Sequence, residues 1–193
     1  MGSHRERMVA SAALLIRERG AHPTAIADVL AHSGAPRGSA YHYFPGGRTQ
    51  LLCEAVDFAG DYLASRIEKA GSGVEVLDAV VRGFRKQLVG SDFRAGCPVV
   101  AVAVESGSKD DFAPVVDRAA AAFARWTRLI AERLTADGVG AGRAEELATL
   151  ILTALEGAIV VARTSREVKP LELVHRQLRE LLEAAIPEGK SER

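Results

Sequence analysis

The sequence lacks the residue groupings that form disulfide, metal and catalytic sites. Its two cysteines, Cys53 and Cys97, lie far apart and follow no secretory hydrophobic segment, so we expect free thiols in a reducing cytoplasm. Histidines, cysteines and acids do not cluster at metal-ligand spacing, and His175 stands alone in the C-terminal part with no acid paired to it. We therefore expect no enzyme, no metal and no cofactor.

Long apolar runs and an excess of one charge are also missing. The longest unbroken apolar stretch, residues 97–104, is far short of the roughly 20 residues that cross a bilayer, so we expect no membrane partner. The 25 basic and 25 acidic residues cancel. Residues 1–52, however, carry six arginines against three acids, a net charge of +3, and four of the five histidines. This asymmetry either arises by chance or favours a polyanionic partner.

The chain does have helical periodicity along its length. Apolar residues recur at three- and four-residue spacing, no convincing alternation of period two occurs, and glycines and prolines separate the segments. The pattern predicts an all-α fold. Helices are predicted at about 5–19, 25–33, 36–43, 48–70, 74–90, 97–106, 111–137, 143–165 and 170–186.

Residues 24–44 predict two short helices that meet across a tight turn. Thr24 is a good N-cap for the first helix, and Gly34 can end that helix in the left-handed conformation. In the second helix, Ala40 and Phe44 share an inward face by their i, i+4 spacing. The outward face then carries Arg37, Gly38, Ser39, Tyr41, His42 and Tyr43.

This outward face is suited to a DNA major groove. An arginine can reach guanine edges, serine and tyrosine hydroxyls can bond to phosphates, and Gly38 allows a close approach of the backbone. The pattern favours a helix-turn-helix. The alternative is a packed helical hairpin with surface aromatics.

Three stretches of sequence carry a resemblance to a known family. They are the first-helix and turn residues Leu15-Ile16, Glu18, Gly20, Thr24, Asp28, Val29 and Gly34; the segment 35–48, which reads APRGSAYHYFPGGR; and Gly96-Cys97-Pro98-Val99-Val100 together with Leu155-Glu156-Gly157-Ala158. Together they resemble the TetR family of bacterial transcriptional repressors, and its LmrA/YxaF-like branch in particular. The resemblance covers most of the chain.

The resemblance implies a three-helix DNA-reading head at residues 5–47 and a six-helix body at residues 48–187 that binds a small effector and dimerises. Such a protein is a repressor that binds a palindromic operator as a homodimer and is released by a largely apolar ligand. The chain departs from the family at Ala40, where a larger aliphatic residue is usual, at Ala25, where a hydroxyl is common, and at Arg48, which replaces a lysine. The expected DNA contacts are Thr24, Arg37, Gly38, Ser39, Tyr41, His42, Tyr43 and Arg48.

Two wide apolar stripes near the C-terminus are candidates for the dimer interface. They are rich in small residues, which allow helices to approach closely, and a four-helix bundle between two copies could use them. The alternative is that both stripes complete the core of one chain. The candidate interface residues are Leu147, Ile151, Ala154, Ala158, Val161, Val174, Leu178 and Leu181.

The effector site is expected among the aromatic residues of the body. Trp126 is the single tryptophan and offers a large surface to a flat ligand, although aromatics at helical spacing are also ordinary core. Glu105 and Glu156 follow or interrupt apolar segments, where a buried acid could bind a cationic ligand or pair with an arginine such as Arg163. The candidate ligand-binding residues are Trp126, Phe84, Phe93, Phe112, Phe123 and Glu105.

A second function class remains open at this point. Since Ala40 buries little apolar surface beneath the second helix of the motif, the chain could be a dimeric all-α scaffold that has lost operator recognition. Salt-dependent binding to a specific duplex distinguishes a repressor from such a scaffold.

Overall fold

The computed structural model describes residues 3–105 and 112–187. These residues contain nine helices and no strand, so the all-α prediction is confirmed. The helices are α1 (His4–Arg19), α2 (Ile26–Ser33), α3 (Ser39–Tyr43), α4 (Gly47–Lys69), α5 (Gly73–Gly90), α6 (Pro98–Val104), α7 (Ala113–Ala136), α8 (Ala141–Ser165) and α9 (Lys169–Ala185).

The ends of α2 show one prediction confirmed and one wrong. Gly34 has φ 66° and ψ 21°, the left-handed conformation that was expected to end the helix. Thr24 does not cap its start. The N-cap is Ala25, which offers no side-chain acceptor; its own backbone N–H donates to the Asp28 carboxylate at 3.2 Å.

Helix α3 is shorter than the sequence predicts. It begins at Ser39 rather than near residue 36, because residues 36–39 form a turn that the Ser39 N–H closes on the Pro36 carbonyl at 3.0 Å. Gly38 stands just before the helix, where a residue with a low helix propensity costs little. The recognition element is therefore a turn followed by five helical residues.

The first of two compact units comprises Met1–Asp61 and Ala95–Phe123. Helix α1 packs against α2 and α6 in this unit. The side chains of Met8, Ile16 and Phe44 are fully buried there, so the helix-turn-helix has its own apolar core.

The second unit comprises Tyr62–Arg94 and Ala124–Arg193, in which α9 packs against α5 and α8. Asp78 of α5 ties α9 in place: its carboxylate accepts from His175 Nε2 at 2.7 Å and from Arg179 Nη1 at 2.6 Å. Burial by itself would raise the pKa of Asp78, but these hydrogen bonds outweigh it and lower that pKa below its ordinary value.

The lowered pKa of Asp78 predicts a loss of stability in acid. The network stabilises the fold above the unfolded-state pKa of about 4, and its contribution is lost as the pH falls through the lower folded-state pKa. We expect Asp78→Asn to lower the thermal unfolding midpoint at pH 7 by about 2–4 °C relative to the parent. Below about pH 4 the midpoints of the parent and the variant should move closer together. Glu172→Gln, which removes the exposed Arg85–Glu172 pair between the same two helices, should change the midpoint little at either pH. A pH-independent effect of Asp78→Asn in calorimetry would contradict this assignment.

Helix α8 has the length and composition of a membrane span, with a mean hydropathy of 1.6 over its most apolar window. It contains no long unbroken apolar run, because threonines, a glycine and Glu156 interrupt the segment. Nine of its residues are nevertheless buried within the protein, and it packs against α5 and α9. The burial is that of a core helix, and the remaining apolar side chains form an exposed face.

Candidate functional site

The outward face of the helix-turn-helix is held in place by two inward side chains. Ala40 and Phe44 are each 1% exposed, which confirms their predicted inward face. The guanidinium of Arg5 lies 5.5 Å from the centre of the Phe44 ring and covers it. The small Ala40 is thus fully packed beneath α3.

The six residues predicted to face outward do so to different degrees. Arg37, Gly38, Tyr41 and His42 are exposed, and Tyr41 keeps 75% of its surface in solvent. Ser39 and Tyr43 are half-buried; the Ser39 hydroxyl donates to the Pro36 carbonyl at 2.6 Å. An arginine, a histidine and a tyrosine hydroxyl are therefore presented together on one short element, with donors for bases and phosphates.

Two other residues predicted to contact DNA form hydrogen bonds to backbone carbonyls of the protein itself. Thr24 is 1% exposed, and its hydroxyl donates to the Gly20 carbonyl at 2.7 Å. Arg48, in the first turn of α4, donates through Nη2 to the carbonyls of Ala21 and His22 at 2.6 and 3.0 Å and through Nε to Thr24 at 2.9 Å. Both residues brace the α1–α2 turn (residues 20–25).

The second unit contains a cavity between its helices, with walls from α4, α5, α7 and α8. Its lining is apolar except for Glu156, and it includes Phe84 and Trp126, the latter 1% exposed. The space is about 360 Å³, part of it open to solvent, and its enclosed portion admits little more than a water molecule. A ligand of drug size would have to move these walls apart.

The structure brings together only part of the predicted ligand set. Phe84 and Trp126 line this cavity, whereas Phe93, Phe112, Phe123 and Glu105 are not part of its lining. Glu105 instead follows α6 and accepts hydrogen bonds from Ala21 and His22, so its partners include a histidine. The acid at the cavity wall is Glu156, which is buried. The predicted ligand set contains Glu105 but not Glu156, so the acid that lines the cavity is not the predicted one.

The predicted dimer-interface residues fall on two sides of α8 and α9. Leu147, Ile151, Ala158 and Leu178 are buried in their own unit; Ala154, Val174 and Leu181 are half-buried; and Val161 is exposed. The exposed apolar side of α8 is not the side on which most of the predicted interface residues lie. We call it the α8 face, formed by Leu150, Thr153, Gly157, Val160, Val161 and Thr164.

Histidine–acid pairs are present where the sequence suggested none. His175 donates to Asp78, and the His22 ring lies 2.8 Å from Glu105 Oε2. Each pair ties two elements together. Within residues 3–105 and 112–187, no three histidine, cysteine or acidic side chains come together as a metal site.

The cysteines are both free, as expected, and placed unlike reactive thiols. Cys97 is buried. Burial raises the pKa of the Cys53 thiol, although nearby Arg118 opposes the shift. A raised pKa leaves less thiolate at neutral pH, so Cys53 is a weak nucleophile.

Two family models match this chain and agree with its geometry. The model described as bacterial regulatory proteins, tetR family, matches residues 9–55, and the one described as transcriptional regulator LmrA/YxaF-like, C-terminal domain, matches residues 73–177. The chain belongs to the TetR family. The predicted resemblance is thus confirmed, and the matched families are transcriptional regulators rather than enzymes.

Similar proteins extend this assignment over nearly the whole chain. The HTH-type transcriptional regulator Rv0196 of Mycobacterium tuberculosis is 63% identical and covers 97% of this chain and 98% of its own length. LmrA of Bacillus subtilis, also an HTH-type transcriptional regulator, is 29% identical over 88% of this chain and 92% of its own. The TetR family regulator CifR, solved with 26-bp double-strand operator DNA, has a TM-score of 0.72 and 26% identity, and covers 90% of this chain and 94% of that one.

Proposed function

We propose that this TetR family regulator is a ligand-responsive repressor that binds a palindromic operator as a homodimer in the cytoplasm. The observation that carries the proposal is the exposed face of Arg37, Tyr41 and His42, held on a buried base of Ala40 and Phe44. The operator complex of CifR supports operator DNA as the partner.

The proposed DNA contacts divide by role. Arg37, Tyr41 and His42 are exposed and reach base edges or phosphates, and Gly38 admits the backbone to the groove. Ser39 and Tyr43, which are half-buried, contact the backbone of the duplex at the margin of this face. Thr24 contributes indirectly by bracing the α1–α2 turn, and Arg48 contributes chiefly in the same way.

We expect Arg37→Ala to weaken specific operator binding by about 1–3 kcal/mol, because a base-reading arginine carries that much discrimination. The duplex is selected from a random pool with the parent protein, and affinity is measured by fluorescence anisotropy across a salt series. Arg143→Ala, an exposed arginine at the start of α8, is the matched control and should bind as the parent does. If Arg37→Ala and the control bind the operator alike, Arg37 does not read it.

The α8 face supports the proposed homodimer. Leu150, Val160 and Val161 keep 45%, 48% and 54% of their surface in solvent, and the face between them carries threonines and a glycine rather than charges. Such a face is typical of a surface that a second helix pair covers. A twofold dimer places two recognition helices on successive major grooves, which matches a palindromic site.

The cavity supports a small, largely apolar effector. Its walls are almost entirely hydrocarbon, and Trp126 offers a flat surface for stacking. Because the enclosed space is small, a ligand must favour a form with the walls apart. A ligand can release DNA only if it binds the open and the closed forms with different affinities, because only then does it shift the equilibrium between them. Glu156 supplies the one charged group at the wall and can favour ligands with a hydrogen-bond donor or positive charge.

We expect planar apolar compounds that release the operator to change Trp126 fluorescence over the same concentration range. Trp126 is the only tryptophan, so its emission reports on this cavity alone. Phe84→Ala enlarges the cavity and keeps Trp126, so it should shift the concentration dependence of operator release and of Trp126 emission together. Phe93→Ala changes a residue outside the cavity lining and should shift neither. Glu156→Gln should weaken the binding of cationic compounds more than that of neutral ones, because it removes the charge at the cavity wall. Operator release with unchanged Trp126 emission would place the effector elsewhere.

A further inference from the structure

The backbone N–H groups at the start of the α1–α2 turn are held by the carboxylate of Glu105. Glu105, the residue that caps the C-terminus of α6, accepts through Oε2 from the backbone N–H of Ala21 at 3.1 Å and of His22 at 2.9 Å. The ring nitrogen Nδ1 of His22 lies 2.8 Å from the same oxygen. Hydrogen bonds to a charged acceptor are stronger than neutral ones, so three at one oxygen make a firm attachment.

The turn is also shaped to receive this carboxylate. Gly20 has φ 95°, a conformation that L side chains rarely adopt, and its hydrogen atoms face the acid. A Cβ at this position would collide with Glu105 Oε1. Glycine therefore serves both the backbone conformation and the close approach of the acid.

The opposite side of the turn is held by a cation and an aromatic ring. Arg48 donates to the carbonyls of Ala21, His22 and Thr24, so the acid binds the amides of the turn while the guanidinium binds its carbonyls. The ring of Phe112 lies 4.4 Å from the ring of His22, with a 45° tilt. All these residues belong to the first unit.

We infer that Glu105 is a positioning residue for operator recognition: it fixes the α1–α2 turn and thereby sets the orientation of α2 and α3. This inference rests on the proposed function, because it assumes that α3 reads DNA. Helix α2 starts directly after the turn, at Ile26, so a fixed turn fixes the start of the helix-turn-helix. A head held in one orientation loses less conformational freedom when it binds than a head that samples many.

The inference predicts a loss of specific binding without contact to DNA. At a temperature where all variants are folded, Glu105→Ala should weaken binding to the selected operator by about tenfold. The reason is that the turn, no longer fixed in the free protein, loses conformational freedom when DNA binds. Binding to an unrelated duplex should stay unchanged, as should the slope of affinity against salt, because the phosphate contacts remain. Glu105→Gln, which keeps an acceptor oxygen without the charge, should fall between Ala and the parent.

A matched control separates positioning from simple stability. Glu54→Gln removes the Arg5–Glu54 pair, 2.7 Å, which links α1 to α4 in the same unit without touching the turn. It should leave operator binding unchanged. Hydrogen exchange gives a second measurement that is independent of DNA: the amides of Ala21 and His22 should exchange at least about tenfold faster in Glu105→Ala and at the parent rate in the control.

The outcomes distinguish this inference from the proposed function. If the parent binds a selected operator and Glu105→Ala binds it equally well, the positioning role is wrong even if the two amides exchange faster. If the parent prefers no duplex over any other, the proposed function fails and the inference fails with it. Weakened operator binding in Glu105→Ala but not in Glu54→Gln, with faster exchange at Ala21 and His22, supports it.

Discussion

Gly157→Arg should convert the proposed homodimer into a folded monomer. Gly157 lies in the middle of α8 on the exposed α8 face, and a Cβ added there would meet nothing within 4 Å. A glycine in an exposed helix interior costs about 1 kcal/mol relative to alanine, and no atom of the described residues lies close enough to require it. The close approach of a partner helix explains it, since small residues allow such an approach.

The size of the effect follows from the charge that the substitution introduces. An arginine without a partner in an apolar interface costs about 3–5 kcal/mol, which raises the dimer dissociation constant by more than about 100-fold. Sedimentation equilibrium measures this directly, and circular dichroism confirms that the monomer remains helical.

Two controls make the result specific to this position. Gly142→Arg places the same residue near the start of the same helix, where a Cβ is equally free, and should leave the dimer intact. Ala158→Arg changes the adjacent residue, which is buried in its own unit, and should unfold the protein rather than separate its copies. A Gly157→Arg variant that remains a stable dimer would move the interface away from the α8 face.

Arg48→Ala should lower the free energy of unfolding by about 2–3 kcal/mol, which corresponds to a drop of at least about 4 °C in the unfolding midpoint. The guanidinium donates to three carbonyls of the α1–α2 turn, and removing it leaves them without that donor. Thermal and urea unfolding measure the loss.

Arg48→Lys distinguishes bracing of the turn from a phosphate contact. Lysine keeps the positive charge but lacks the planar fork that spans several carbonyls. If Arg48 mainly braces the turn, the lysine variant should be destabilised nearly as much as the alanine variant. If a phosphate contact dominates, Arg48→Lys should keep the parent's DNA affinity and salt slope while Arg48→Ala loses both, with little change in stability for either.

The helices could be predicted from sequence because glycines and prolines separate segments of clear periodicity. The start of α3 could not, since Pro36 is compatible with either a first helical turn or a tight turn; the structure has the tight turn, which the Ser39 N–H closes on the Pro36 carbonyl. The role of Thr24 was missed for a similar reason. A threonine before a helix is a good cap, but here Thr24 lies one residue before the N-cap, Ala25, and its hydroxyl donates to the Gly20 carbonyl.

Several site residues could not be predicted from the sequence because their positions depend on contacts between residues far apart in the chain. The apolar stripe of α8 is wide, and its sequence does not say which side meets α5 and α9; burial selects Leu147, Ile151 and Ala158 for the core and leaves Val161 outside. The contact between Glu105 and His22 joins residues 83 positions apart, beyond the reach of any helical spacing. The only local signal for it was Gly20, which marks a turn without naming its partner.

The most direct measurement of the central claim is the affinity of the parent protein for a selected duplex and for a scrambled duplex of the same composition, across a salt series. If the exposed face of Arg37, Tyr41 and His42 reads an operator, the selected duplex should bind at least about 1,000-fold tighter at physiological salt, with affinity for both falling as salt rises. Equal, weak affinity for the two duplexes at every salt concentration would contradict it.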